Sequence, residues 1–432
     1  MLDRPESMKD LRIGIVGFGT VGRGTADAIA ANSGEIAART GARLRVVAVS
    51  RRTAVAPPDG ARYYASWQEL VSSPDVDAVV ETVGGTTVAF DVVRHALELG
   101  KPVVTANKNL MASHGDAIFA LALQKNVPVG IEATVAGVVP IIRVLAESIS
   151  GDRLLALRGI LNGTSNYILT RMEQDALTFD DALQLAQKAG YAEADPTMDV
   201  DGIDARDKLC ILARLAFRCQ AAPDKIPTSG IRRVSSVDIR YARSLESRVR
   251  LLASAEINGE DVSLSVRPWL VSRQLILSSV EGAHNAVLLE GERSGTQMLY
   301  GRGAGAGPTG IAVVSDLMTI ATDFAKNRLA FREAVAVSSR PLRLGQMTRP
   351  VPWYLRLTVK DEPGIVARVA EAIAKHKGNI DIVQQDPGMK KTPLSFVITL
   401  EPSFEPAVAA AVADIDRMPF MFEPVQCMPM LI

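Results

Sequence analysis

Gly17, Gly19 and Gly22 stand in the spacing G-x-G-x-x-G, and the chemistry open to that spacing is the binding of a pyrophosphate. The first glycine permits a tight turn, the second lets the backbone approach the phosphates, and the third lets a helix sit close to the preceding strand. Free N–H groups and partial positive charge at a helix start would face the phosphates. Gly17, Phe18, Gly19, Thr20, Val21 and Gly22 are therefore the candidate cofactor loop. Arg51 and Arg52 follow Ser50 at the end of a second apolar run. An acid at that place grips the ribose hydroxyls of NAD, whereas two guanidiniums suit a 2′-phosphate, because Arg binds phosphate bidentately and stays charged. The pair favours NADP over NAD; the alternative is that both arginines only solvate a strand end. Asp204 and Lys208, four residues apart in an apolar-periodic segment, share one face of a helix. A neighbouring carboxylate would keep such a lysine protonated and oriented, while desolvation would push its pKa back down. An ordinary surface ion pair has the same spacing.

These residues need elements to hold them. Residues 12–16 are a short apolar run, the mark of a buried parallel strand, and 25–31 are an Ala-rich helical pattern. Further strands are expected at 43–50, 76–82, 102–105 and 126–131, with helices from Ser66 and over 90–99. Alternation of this kind implies a doubly wound α/β fold, in which ligands lie beyond the carboxyl ends of the strands. Thr82 and Gly84 follow one such end, and Lys108 follows another. The strand pattern returns at 153–162, 256–264 and 287–290, and a second glycine-rich run at 301–310 opens into a helix. Residues 219–253 carry no chemistry that can be assigned.

The chain has 432 residues, which calls for two or three domains. Lys+Arg 48 against Asp+Glu 48 gives no electrostatic argument for nucleic acid or an acidic membrane. Three cysteines, Cys210, Cys219 and Cys427, match no zinc spacing and cannot all pair, which suits a reducing cytoplasm. No apolar run is long enough to span a bilayer, and the first residues form no signal peptide.

Seven stretches occur together: GFGTVG, ETVGG, TANKNLMASHG, EATVAGVVPII, GILNGTSNYIL, AGYAEADPTMDVDGIDARDKL and YGRGAGAGPTGIAVVSDL. Over residues 10–330 the chain resembles homoserine dehydrogenase, which interconverts aspartate 4-semialdehyde and homoserine. The resemblance implies a Rossmann-type doubly wound parallel sheet over 1–135 and about 300–330, and an α+β substrate and dimerisation domain over 136–299. It makes Lys208 the proton donor and acceptor, with Asp204 contacting homoserine and Glu193 and Asp199 meeting its ammonium group. Lys108 reaches substrate and cofactor, either binding the α-carboxylate or assisting the carbonyl. Gly190 and Gly305 contact the cofactor. Glu132, through its carboxylate, and Val135, Gly137 and Val139, through their carbonyls, hold a monovalent cation, sodium; one carboxylate with carbonyls suits a hard, singly charged ion. Glu132 could instead simply cap its loop. Asp195 reads as turn chemistry.

Residues 331–352 read as a linker. Beyond it, strands at 354–359, 379–384, 394–400 and 422–429 and helices at 365–376 and 406–416 give a β-α-β-β-α-β order. With V-K-D-E-P-G-I at 359–365, 353–432 resemble a ferredoxin-like ACT domain. In this family such a domain can mediate inhibition by threonine, through groups around Asp361 to Ile365 and Asn379 to Ile382. Residues 384–392 depart from that pattern, and the domain could instead serve only to dimerise. The expected protein is a cytoplasmic homodimer or homotetramer. A phosphorylating semialdehyde dehydrogenase would need a cysteine nucleophile with a base, and no cysteine here has that setting. A catalytically silent sensor of NADP and an amino acid is the rival from another class; intact Lys108, Glu193, Asp204 and Lys208 argue against it.

Overall fold

The computed structural model describes residues 8–219, 221–331, 343–345, 349–386 and 393–432. They divide into two compact units, one of Met1–Leu154, Asp207–Lys225 and Gly291–Leu342, the other of Leu155–Arg206, Ile226–Glu290 and Arg343–Ile432.

The first unit is built on β1 (Lys9–Val16), β2 (Ala42–Ser50), β3 (Arg62–Tyr64), β4 (Ala78–Glu81), β5 (Val103–Thr105) and β6 (Val129–Gly130). They lie in the order β3-β2-β1-β4-β5-β6, every neighbour parallel. This is the Rossmann order, with the reversal of direction at β1 and β4. Leu11, Ile13 and Ile15 on one face of β1 have no exposed surface, and Gly14 and Val16 on the other are buried, as a strand covered on both faces requires. The register decides where a ligand can sit. Val16 is level with Ser50 and with Glu81, and Glu81 with Thr105. The carboxyl ends of four strands thus form one row, and Gly17, Arg51, Thr82 and Ala106 are the next residue of each.

Two helices complete this unit's core. Thr20–Ala31 begins five residues before the Ala-rich pattern, its first five residues including Gly22 and Gly24. It crosses the helix Ala306–Ala325, and both bury apolar faces with Leu11, Ile13 and Ile15. A Cβ at Gly24 would lie 2.3 Å from the Ala306 carbonyl oxygen, and one at Gly310 2.7 Å from the Gly24 backbone. Glycines at both positions let the two backbones touch. The strand expected over 126–131 shrinks to β6, because Asn126 (φ 54°) is the left-handed cap of the helix Lys108–Lys125.

In the second unit are β7 (Leu154–Ile160), β8 (Ser247–Asn258), β9 (Asp261–Ser272) and β10 (His284–Gly291). β11 (Gly295–Arg302) falls in the first unit's last segment, and β12 (Arg343–Gly345), β13 (Val351–Val359), β14 (Ile380–Gln384), β15 (Leu394–Ser403) and β16 (Gln426–Leu431) belong to the second. The second unit's strands run β10-β7-β8-β9-β16-β13-β15-β14, with β12 on β9. The strand expected over 256–264 is instead the hairpin between β8 and β9, turning at Gly259 (φ 60°). Strands β13 to β16 with the helices Ile365–Lys375 and Glu405–Asp416 follow the expected β-α-β-β-α-β order, and β13 pairs antiparallel with β15 and β16. Most of the expected linker, 332–342 and 346–348, lies outside the described residues. Within it, Arg343–Gly345 pairs parallel with β9 and Pro352 lies in β13.

Candidate active site

The glycine loop is shaped by its neighbours. Gly17 has φ 100°, and a Cβ there would meet the Thr82 carbonyl at 2.5 Å; one at Gly22 would meet the Gly17 oxygen at 2.7 Å. Gly19 faces open space, the cradle a pyrophosphate needs. The first intrahelical bond is from Arg23 N–H to the Gly19 oxygen, so the N–H groups of Thr20, Val21 and Gly22 are the helix-start donors. Gly17 and Phe18 give their N–H groups to the Ser50 oxygen, and the Phe18 ring is in the core. The Thr82 hydroxyl donates to the Gly17 oxygen at 2.7 Å and fastens the loop.

Below the Thr82 loop sits Glu81, which has no exposed surface. Its carboxylate accepts from Thr105 Oγ1 at 2.5 Å and from Val83 N–H at 2.7 Å. Burial pushes this carboxyl above its ordinary range, against those hydrogen bonds. Gly84 and Gly85 take left-handed backbone, φ 82° and 70°. Asn107 donates to the Gly85 oxygen at 2.6 Å and caps the helix Lys108–Lys125 by accepting from Leu110 N–H. Val21, Thr82, Gly84, Gly85, Asn107 and Lys108 line a cavity of about 240 Å³. This brings together the helix start, the β4 loop and the half-buried lysine. Arg51 and Arg52 are exposed at the end of β2, with no carboxylate partner among the described residues. Gly305 (φ 122°) precedes the helix Ala306–Ala325, whose first residue meets Gly24, two residues past Gly22.

Glu132 is buried at 4% exposure, and its two oxygens accept from the N–H groups of Ile142 and Arg143, each at 2.9 Å. It is a cap. Ala136 and Gly137 have left-handed φ of 56° and 59°, and the backbone turns there between Val135 and Val139. A second, largely buried carboxylate, Asp316, accepts from the Glu132 N–H at 2.9 Å and is pushed up to about 7 by burial and by Glu132; the Val139 carbonyl accepts from Ile141 N–H at 2.7 Å, and each of these oxygens retains a lone pair. Among the described residues no group of three or more His, Cys, Asp or Glu could hold a metal.

In the second unit, Asn162 caps the helix Gly163–Gln174 by accepting from Ser165 N–H at 2.7 Å. Its amide donates to Asp199 at 2.7 Å and to Asp204 at 2.9 Å. The hydroxyl of Ser165 donates to the Asp199 carbonyl, and that of Thr164 to the Tyr191 carbonyl. Asp199 and Asp204 are thereby gathered. Glu193 is exposed, and Gly190 (φ 76°) has open space beside it. Asp195 accepts from Thr197 N–H at 3.1 Å, the turn role expected of it. The division between units falls within the helix Ile203–Phe217, which carries Asp204 (3% exposed) and, one turn on, Lys208 (8%). Sequence reasoning missed Asn162, although an Asn before Gly-Thr-Ser is a helix-start signal; it also missed Glu81, because a buried acid in an apolar strand carries no periodic signal.

The cysteines agree with rejecting a thiol mechanism. All three are free, and burial pushes Cys219 up to about 11 and Cys427 up to about 12, the opposite of an activated thiolate.

Comparison with known proteins gives a consistent family. The model for the homoserine dehydrogenase NAD binding domain matches residues 17–132, and that for homoserine dehydrogenase matches residues 140–318. The chain is 38% identical to a homoserine dehydrogenase of Neisseria gonorrhoeae over 427 residues, 97% of this chain and 98% of the relative. It is 41% identical to one of Pseudomonas aeruginosa over 386 residues, 88% of each. Among solved structures, a homoserine dehydrogenase from Thiobacillus denitrificans superposes with a TM-score of 0.90 at 36% identity, covering 98% of both chains. A hyperthermophilic archaeal homoserine dehydrogenase in complex with NADPH matches at 0.61 and 31% identity, over 72% of this chain and 97% of its own. With the nucleotide-binding sheet, the glycine loop and these matches in agreement, the chain belongs to the homoserine dehydrogenase family, oxidoreductases of amino-acid biosynthesis.

Proposed function

We propose that the chain interconverts L-aspartate 4-semialdehyde and L-homoserine with NADP in preference to NAD, using Lys208 as the group that moves the proton. The observation that carries the chemistry is the burial of Lys208 one turn after an almost fully buried Asp204. When bound, NADP supplies or accepts the hydride. Lys208 Nζ gives a proton to the carbonyl oxygen in reduction and takes it from the hydroxyl in oxidation. Asp204 keeps that ammonium charged and contacts homoserine, while Glu193 and Asp199 offer carboxylates to the substrate ammonium. Lys108, lining the cavity of the first unit, binds the α-carboxylate or steadies the carbonyl. Thr20, Val21, Gly22, Thr82, Gly84, Gly190 and Gly305 face the cofactor, and Arg51 and Arg52 its 2′-phosphate. The archaeal relative's complex with NADPH and the absence of an acid at the end of β2 support the preference.

Lys208→Ala tests the proton role. It should lower kcat by about two to four orders of magnitude, the usual worth of a positioned acid–base group, and leave NADPH binding within twofold. A near-normal rate would remove Lys208 from that role.

Three finer assignments accompany this reading. Glu132, with the carbonyls of Val135, Gly137 and Val139, holds sodium as a structural ion, so NaCl should raise Tm more than tetramethylammonium chloride at equal ionic strength. The β-α-β-β-α-β segment is an ACT domain through which threonine inhibits; Gly364 (φ 86°) opens its first helix beside Asp361. Part of the divergent stretch, 387–392, lies outside the described residues. The free cysteines suit a reducing cytoplasm, the assembly is the homodimer or homotetramer expected from the family resemblance, and no described helix is long and apolar enough to cross a membrane.

A further inference from the structure

Asn162 is 5% exposed and makes three side-chain hydrogen bonds of 2.9 Å or less. Its oxygen accepts from Ser165 N–H, which is the ordinary work of a helix cap. Its nitrogen does something a cap does not require. The two amide hydrogens are given to two different carboxylates, Asp199 on the short helix Thr197–Val200 and Asp204 on the helix Ile203–Phe217. Two carboxylates converging on one nitrogen repel each other and would share a proton if nothing donated to both. A neutral amide with two hydrogens in a fixed plane is the side chain that can supply one to each without adding charge. The cap bond fixes that plane, and the Ser165 hydroxyl bond to the Asp199 carbonyl holds the short helix in place from the same turn.

We infer that Asn162 is a positioning residue for the homoserine reaction, holding the Asp199 and Asp204 carboxylates apart, charged and aimed at the substrate. This rests on the proposed reading that those two carboxylates meet homoserine. The charged residues on the same elements are Asp201, paired with Arg232 at 2.5 Å, after the short helix, and Arg206, Asp207 and Lys208 after Asp204 on its helix; none is altered by the variants below.

Two substitutions separate the amide from the cap. Asn162→Ser keeps a good helix-capping hydroxyl but removes the nitrogen that reaches both carboxylates. Asn162→Asp keeps cap and size and replaces the donor by a third carboxyl. Steady-state kinetics against pH, NADPH binding by fluorescence and Tm are measured on the full chain, below the midpoint of any weakened variant. For N162S the expected result is a raised KM for homoserine and kcat/KM lower by roughly ten- to a hundredfold, the range for losing hydrogen bonds to charged groups. For N162D the acid limb of the kcat/KM profile moves to higher pH, because three facing carboxyls retain a proton longer. NADPH binding stays within twofold in both. An unmoved acid limb in N162D together with an unchanged homoserine KM in N162S overturns the inference, whatever happens to Tm, since loss of a cap shifts stability and not these readouts. Asp204→Asn checks the reading beneath: if it leaves kcat/KM for homoserine unchanged, Asp204 is not a substrate group and the positioning role falls with it.

Discussion

At the scale of single residues, the nucleotide half depends on places where a side chain would not fit and on one acid placed under them. Gly17→Ala would set a Cβ 2.5 Å from the Thr82 carbonyl at a φ of 100°, so the loop must shift. We expect NADPH affinity to fall at least tenfold, and unchanged binding in a titration would mean the loop is not the phosphate cradle. Arg51 and Arg52 have no acid to answer to among the described residues, so R51A/R52A should raise KM for NADPH far more than for NADH; equal weakening would remove the phosphate role. Glu81 gives a pH prediction. Burial raises its folded-state value above the unfolded one, so the stability it contributes is present below the ordinary carboxylate range and is lost as pH rises through the raised value. Glu81→Gln cannot ionise, so its Tm relative to the parent should climb as pH rises above the ordinary carboxylate range. A difference that does not change with pH would show that Thr105 and Val83 fully offset the burial.

At the scale of elements, β1, β2, β4 and β5 were legible because they are short apolar runs closed by Gly, Arg-Arg or Asn-Lys, and each end marked a candidate site residue; β3 (Arg62–Tyr64), partly exposed and without an apolar run, was not. Boundaries were less so. The helix after the glycine loop starts at Thr20 although Gly22 and Gly24 are poor helix formers, because backbone contact with Ala306 and Gly310 outweighs propensity. Those contacts join segments almost 300 residues apart and leave no local trace. The β8–β9 hairpin was read as one strand because apolar residues continue on both sides of Asn258 and Gly259, an Asn-Gly pair that is itself a turn signal. Asn162 lay in view within GILNGTSNYIL, but its two acids are 37 and 42 positions away. The helix crossing can be tested by a contrast. Gly310→Ala should lower stability by about 1–3 kcal/mol or more, as overpacking does, whereas Gly34→Ala, where a Cβ meets nothing within 4 Å, should be neutral or mildly stabilising. Equal urea midpoints for the two variants would contradict the crossing.

At the scale of the whole chain, each unit has its own means of cohesion. In the second, β16 pairs parallel with β9, so the β-α-β-β-α-β segment continues the same sheet as β7 and β8. Asp238, with no exposed surface, reinforces that join: it accepts from Tyr354 and Arg356 of β13 at 2.9 and 2.8 Å while capping the helix Ser236–Ser244. Asp238 lies in the stretch to which no chemistry could be assigned from sequence, and it anchors the C-terminal segment. Asp238→Ala leaves the buried Arg356 guanidinium with Glu423 and Thr358 but takes away the acceptor of its Nε and of the Tyr354 hydroxyl, so a loss of about 1.5–3 kcal/mol is expected, and calorimetry showing no change would contradict the anchor. The central claim concerns catalysis, and its most direct test is homoserine-dependent reduction of NADP and of NAD by the purified chain. Turnover that requires homoserine and strongly favours NADP is the predicted result. No homoserine-dependent turnover with either nucleotide would contradict the account and bring back the silent sensor.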